Sequence, residues 1–130
     1  MIIYPAAIAA RLRTALHEGD SGTLAALFHP DVHFQPLDPF EPAGTGSDAA
    51  LAWYRDRREL GYRTEVEELF SFPAGVVLGL RITRPAADSG SSALLYRLFR
   101  LKDDRVVQIR DFTDRTRALN LAEAPFPSAG

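Results

Sequence analysis

Near its C-terminal end the chain carries two runs rich in aliphatic and aromatic residues, 93–101 and 105–112, which meet at Asp103-Asp104. A two-residue polar step between two such runs is the signature of a β-hairpin. A lone hairpin is marginal in water, so the rest of the chain must supply more sheet or a helical layer to cover it. In a two-residue loop, residues whose numbers sum to 207 face each other. Leu101 is then opposite Val106, Leu98 opposite Ile109, and Tyr96 opposite Asp111. Period-two alternation puts Leu94, Tyr96, Leu98, Val107, Ile109 and Asp111 on one face. Leu95, Arg97, Phe99, Gln108, Arg110 and Phe112 take the other. The first face is apolar except for Tyr96 and Asp111, and is the expected concave face beneath helices.

The preceding chain provides that helical layer. Residues 6–18 place Ile8, Leu12, Ala15 and Leu16 at helical spacing and stop at Gly19-Asp20. Ser21 can cap a second, short helix with Leu24, Leu27 and Phe28 on its apolar side, ended by Pro30-Asp31. A short strand is expected at 32–35, followed by a loop at 36–46 that holds three prolines and two glycines. A third helix over 48–60 turns Ala49, Ala50, Trp53 and Leu60 inward and ends at Gly61. Strands are expected at 63–72 and 76–84, and a short terminal helix follows Thr113. Helices first and strands later predict an α+β domain, a curved antiparallel sheet against three N-terminal helices, enclosing one apolar pocket. Residues 1–122 read as a single domain and 123–130 as a loose, Pro/Ala/Gly/Ser-rich tail.

A length of 130 residues suits one domain, and 46% hydrophobic with 25% charged residues suits a real core. Net charge is -2 and no basic stripe interleaved with aromatics occurs, so nucleic acid is not an expected partner. Zero cysteines exclude disulfides and thiolate metal sites. His17, His29 and His33 show no metal-ligand spacing, so no metal is expected. No segment reads as a signal peptide or a membrane span, which makes a cytoplasmic location without membrane attachment the expectation. No Ser-His-Asp order, phosphate loop or dinucleotide fingerprint is present.

Asp111 is the most informative residue. A carboxylate on an apolar face is costly to bury unless it is bonded. In a pocket it becomes a candidate proton carrier, with Tyr96 as its hydrogen-bonding partner. The competing structural reading has Asp111 cap the terminal helix or pair with an arginine such as Arg115. Trp53, Phe34, Leu80, Leu98, Ile109 and Asp38 are the candidate ligand-binding residues. For Trp53, core packing is the alternative; for Asp38, a turn-forming role in the proline-rich loop.

Several stretches together resemble the SnoaL-like and nuclear-transport-factor-2-like superfamily. ALHEGD at 15–20 with LAALFHPDV at 24–32 resembles its opening helices, and GSDAALAWY at 46–54 its third helix. VVQIRDFTDR at 106–115 resembles its closing strand and terminal helix. The resemblance implies a cone-like α+β fold shared by isomerases, cyclases, epoxide hydrolases, binders and transport adaptors. In SnoaL-type polyketide cyclases an aspartate of the final strand is the acid/base, and Asp111 matches that place. RDFTD at 110–114 is similar to the closing motif of limonene-type epoxide hydrolases, without a second aspartate on strand 93–101. Ketosteroid isomerase roles fall on Leu12, on Pro36 or Asp38, and on Tyr96, an incomplete set because Leu12 cannot donate a hydrogen bond.

Two functions follow as expectations. One is cofactor-free acid/base chemistry on a small hydrophobic molecule, of cyclase, isomerase or epoxide-hydrolase type, with Asp111 and Tyr96 carrying it. The other is a non-catalytic small-molecule-binding or dimerisation module. A homodimer is expected through the outer sheet face, where Phe99 and Phe112 lie beside Arg97, Arg110 and Gln108.

Overall fold

A computed structural model describes residues 5–37, 43–84 and 92–124. Helix α1 (Pro5–Glu18) and helix α2 (Ser21–Leu27) lead into strand β1 (Phe28–Gln35). The two-residue strand β2 (Gly44–Thr45) precedes helix α3 (Ser47–Glu59). Four long strands follow, β3 (Arg63–Phe72), β4 (Gly75–Thr83), β5 (Ser92–Lys102) and β6 (Arg105–Phe112), and helix α4 (Arg115–Glu123) closes the described chain. They form one six-stranded sheet in the order β2-β1-β6-β5-β4-β3. The sheet is mixed rather than purely antiparallel, because β1 runs parallel to β6. The α+β class and the three N-terminal helices are as the sequence predicts.

Local chemistry explains the boundaries. Pro5 occupies the start of α1, where its missing N–H costs nothing. The cap of α2 is Asp20, whose carboxylate accepts from the Thr23 backbone N–H, and not Ser21. Strand β1 begins earlier than expected and runs through Pro30. A register irregularity between Phe28 and His33 accommodates that proline, the kind of place where a strand tolerates one.

The sheet packs a large core on one face and a smaller one on part of the other. Leu78, Leu80, Leu95, Phe99, Val106 and Ile109 point toward α1, α2 and α3, and form the main core with Ile8, Leu12, Leu24 and Leu27. Val77, Tyr96, Leu98 and Phe112 point the other way and are covered by Ala118 and Ala122 of α4. The three N-terminal helices share one face, as expected, and α4 covers the other. Its alanines four residues apart let the helix lie close to the sheet. Gly75 marks the closest approach, since a Cβ there would sit 3.3 Å from the Ala122 carbonyl oxygen.

The hairpin register is corrected as well. Asp103 and Asp104 form the turn, with φ of 53° and 63°, and Leu101 pairs with Val106 as the two-residue loop requires. Beyond that pair, Val107 is an extra residue: Arg100 pairs with Gln108, Phe99 with Ile109, Arg97 with Asp111 and Tyr96 with Phe112. Ile109 and Asp111 keep the concave face. Tyr96 and Leu98 move to the opposite face, while Arg97 and Phe99 come in beneath the helices. The Phe99–Phe112 patch from which a homodimer was expected is not formed. Phe99 is fully buried in the main core, and Phe112 lies under α4 with Arg110 and Arg117 stacked on its ring.

Candidate functional site

A cavity of about 760 Å³ opens between α3, the α1–α2 turn and the ends of β3, β4 and β5. Its walls are largely apolar and aromatic: Leu16, Leu24, Trp53, Tyr62, Ile82 and Leu95. Trp53 and Tyr54 stand side by side on α3 with their rings edge to face at 4.8 Å. Phe28 backs Tyr54 and Phe34 backs Trp53, each with ring centroids 6.2 Å apart, so the core fixes the two wall rings.

The deep end of the cavity is polar. Arg97 on β5 and Asp111 on β6 are cross-strand partners, and their side chains are only 3% and 4% exposed. Arg97 Nε donates to Asp111 Oδ1 at 2.7 Å and Nη2 to Oδ2 at 3.0 Å, a two-pronged ion pair. The remaining fork, Nη1, donates to the Tyr54 hydroxyl at 3.1 Å. The guanidinium also lies over the Trp53 ring at 4.9 Å and the Tyr54 ring at 5.3 Å. Burial alone disfavours the charge on Arg97, but the Asp111 carboxylate and the Tyr54 oxygen outweigh it and hold its pKa above the usual arginine value. Burial pushes the Tyr54 phenol up to about 12, against the lowering pull of Arg97. The phenol therefore stays protonated, accepts from Arg97, and keeps its own hydrogen for another partner.

Of the candidate site residues, Asp111 and Trp53 line the cavity. Phe34, Leu80 and Ile109 are buried in the core behind it. Tyr96 and Leu98 lie on the far side of the sheet, because the Val107 bulge turns every β5 side chain over relative to the expected register. Asp38 lies outside the described residues. Arg115 does not partner Asp111; it pairs with Glu68 at 3.1 Å, and Asp114 rather than Asp111 caps α4. Arg97 is the site residue that sequence reasoning placed on the wrong face. A signal for it exists: the 207 register sets Arg97 against Arg110, a like-charge cross-strand pair, whereas the bulged register sets it against Asp111. Among the described residues no three His, Cys, Asp or Glu side chains cluster as metal ligands, and no helix is long and apolar enough to cross a membrane.

A mixed, curved, open sheet with a helical cover is the cone-shaped architecture of the nuclear-transport-factor-2-like class. Residues 9–109 match the SnoaL-like domain, and the chain belongs to that family. No curated protein matches it. Among solved structures, a protein of unknown function with a cystatin-like fold from Xanthomonas campestris is similar, with 22% identity and a TM-score of 0.71 over 94% of this chain and 100% of that one. A protein from Sinorhizobium meliloti assigned provisionally as a polyketide cyclase has 20% identity and a TM-score of 0.67, over 81% and 93% of the two chains. One from Kribbella flavida assigned provisionally as a ketosteroid isomerase has 18% identity and a TM-score of 0.70, over 95% and 82%. At such identities the likeness is one of fold.

Proposed function

We propose that the chain takes a small, largely apolar molecule into this cavity and transfers a proton at its buried end without a cofactor. The observation that supports this is the Tyr54–Arg97–Asp111 set, held at the deep end of an otherwise apolar and aromatic cavity. A ligand carbonyl oxygen at that end would accept a hydrogen bond from the Tyr54 hydroxyl. The Asp111 carboxylate would take a proton from the carbon beside the carbonyl and return it elsewhere on the same molecule. Each Asp111 oxygen keeps a lone pair after its bond to Arg97, so acceptance does not require the ion pair to break. This is the proton chemistry of a cyclase or isomerase, and similarity in fold to proteins provisionally assigned to those classes is consistent with it.

A second reading, a non-catalytic binding module, has its own support. Both oxygens of Asp111 are already engaged by Arg97, as in a purely structural pair. The two readings separate on one substrate, 2-tetralone, an apolar ketone whose α-protons exchange with deuterium oxide and can be followed by NMR. The catalytic reading expects exchange above the buffer rate that falls about 10²–10⁴-fold in Tyr54→Phe, which keeps the Arg97–Asp111 ion pair. Binding of the ketone with exchange no faster than in buffer favours the binding module. Failure of this and of related apolar ketones to bind removes the proposal.

A further inference from the structure

Arg97 holds more hydrogen-bond donors than its protein partners use. A guanidinium carries five N–H bonds in one plane. Nε and one N–H of Nη2 go to the two Asp111 oxygens, and one N–H of Nη1 goes to the Tyr54 hydroxyl. Nη1 and Nη2 each keep a second N–H, and among the described residues neither of these has an acceptor. The side chain is only 3% exposed to solvent, yet it lines the cavity. An N–H bond left open in such a place is a donor for whatever enters.

The guanidinium is held in position by what it already touches. The rings of Trp53 and Tyr54 lie 4.9 and 5.3 Å from its central carbon, and Asp111 occupies one edge side-on. Turning the spare N–H bonds toward another residue would break the bonds it has. Pairing through Nε and Nη2 leaves the terminal edge, where the outer N–H bonds of Nη1 and Nη2 run side by side. Such an edge spans two neighbouring oxygens. Arginine keeps its proton, so this group acts as donor and counter-ion and never as the base.

We infer that the terminal edge of Arg97 holds two oxygens, the Tyr54 hydroxyl on Nη1 and a ligand carbonyl on Nη2, which makes Arg97 a catalytic residue in its own right. The inference rests on the proton-transfer reading above, and adds a second donor to the ligand oxygen and the class of group it accepts. Beside the Tyr54 oxygen, the ligand oxygen also takes the phenolic hydrogen, so both of its lone pairs are filled. The group is an uncharged carbonyl, because a carboxylate would bring a second negative charge up to Asp111. The charge then closes through the step. As the C–H bond beside the carbonyl breaks, its proton goes to Asp111, its electron pair forms a C=C bond, and the carbonyl pair moves onto oxygen. Negative charge leaves Asp111 and appears on the enolate oxygen, which Arg97 already contacts. One guanidinium is the counter-ion before and after, and the total charge of the buried set is unchanged. Return of the proton from Asp111 to another carbon reverses the flow. Donors placed before the reaction stabilise the charge without reorganising.

The test follows bound 2-tetralone by the infrared stretch of its carbonyl and by exchange of its α-protons. In wild type the bound stretch should lie well below that of the ketone in hexane. In Tyr54→Phe, which keeps the ion pair, it should rise only part of the way, because the Arg97 N–H remains. A return to the hexane value would show that Tyr54 alone held the carbonyl, and overturns the contact. Arg97→Lys keeps the charge beside Asp111 and removes the paired N–H edge. The stretch should rise above that of wild type, and exchange should slow by about 10²–10³-fold, chiefly in kcat rather than KM. An unchanged stretch and kcat in Arg97→Lys would leave Arg97 a structural role only, and overturns the inference. If that variant does not fold, the Tyr54→Phe spectrum decides the contact by itself. Binding to wild type with no exchange above buffer overturns the role of Arg97 in proton transfer together with the catalytic reading. If 2-tetralone and related apolar ketones do not bind, the cavity reading falls, and this inference with it.

Discussion

At the scale of single residues the Arg97–Asp111 pair decides most. Both groups are nearly inaccessible to water, so each depends on the other to offset its desolvation. Asp111→Asn leaves the guanidinium without its counter-ion, and we expect a loss of about 3–5 kcal/mol in a denaturant melt. Replacing both partners in Arg97→Met/Asp111→Leu should recover much of that loss, because two apolar side chains leave no buried charge. A double variant no more stable than Asp111→Asn would mean the pair does more than compensate its own burial. Tyr54 makes a separate prediction. Its folded pKa, about 12, lies above the ordinary 10.0, so the neutral phenol is favoured by the fold. The associated stability is fully present below pH 10 and is lost as pH rises toward 12. Wild type should therefore lose stability through that window more steeply than Tyr54→Phe, measured as the difference between their urea midpoints at each pH.

At the scale of elements the β5–β6 hairpin is the informative one. Its turn holds two aspartates at positive φ, a backbone region that suits the hairpin twist but is strained for a side chain. Asp-Gly is the preferred pair for such a turn. Asp104→Gly is accordingly expected to raise stability by about 0.5–1 kcal/mol, and Asp104→Val to lower it, both read from thermal melts. On the far side of the sheet, buried Arg100 donates to the carbonyl oxygens of Leu121 and Ala124 at the end of α4. It satisfies acceptors that the helix itself leaves open. Arg100→Met keeps the bulk of the side chain but not these bonds. It should cost about 1–3 kcal/mol, with hydrogen exchange quickening first in α4.

At the scale of the whole molecule the sheet is a wall between two cores, the larger one shared with α1, α2 and α3 and the smaller one with α4. Removing α4 would uncover Tyr96, Leu98 and Phe112 together. A chain ending at Asp114 should self-associate in sedimentation experiments while wild type at the same concentration does not form those species. A monodisperse truncated chain would show that the smaller core is dispensable. The cavity depends on the larger core, because Phe28 and Phe34 back the rings of its wall.

Helix and strand positions were legible in the sequence because they rest on local spacing: Ile8, Leu12, Ala15 and Leu16 on one helix, and the long strands either side of Asp103-Asp104. The α+β class and Asp111 as a concave-face carboxylate followed from those local signals. Which side chains of β5 share the cavity with Asp111 did not follow from them. One extra residue at Val107 exchanges Tyr96 for Arg97, because strand side chains alternate with a period of two and a single bulge inverts every face beyond it. The pairing of unlike charges between Arg97 and Asp111, rather than of like charges between Arg97 and Arg110, favours the bulged register. That preference exists only once the strands are side by side. The convergence of Tyr54, Arg97 and Asp111 likewise joins residues 54, 97 and 111 across three elements, a proximity that no local pattern encodes and that burial of the shared core creates.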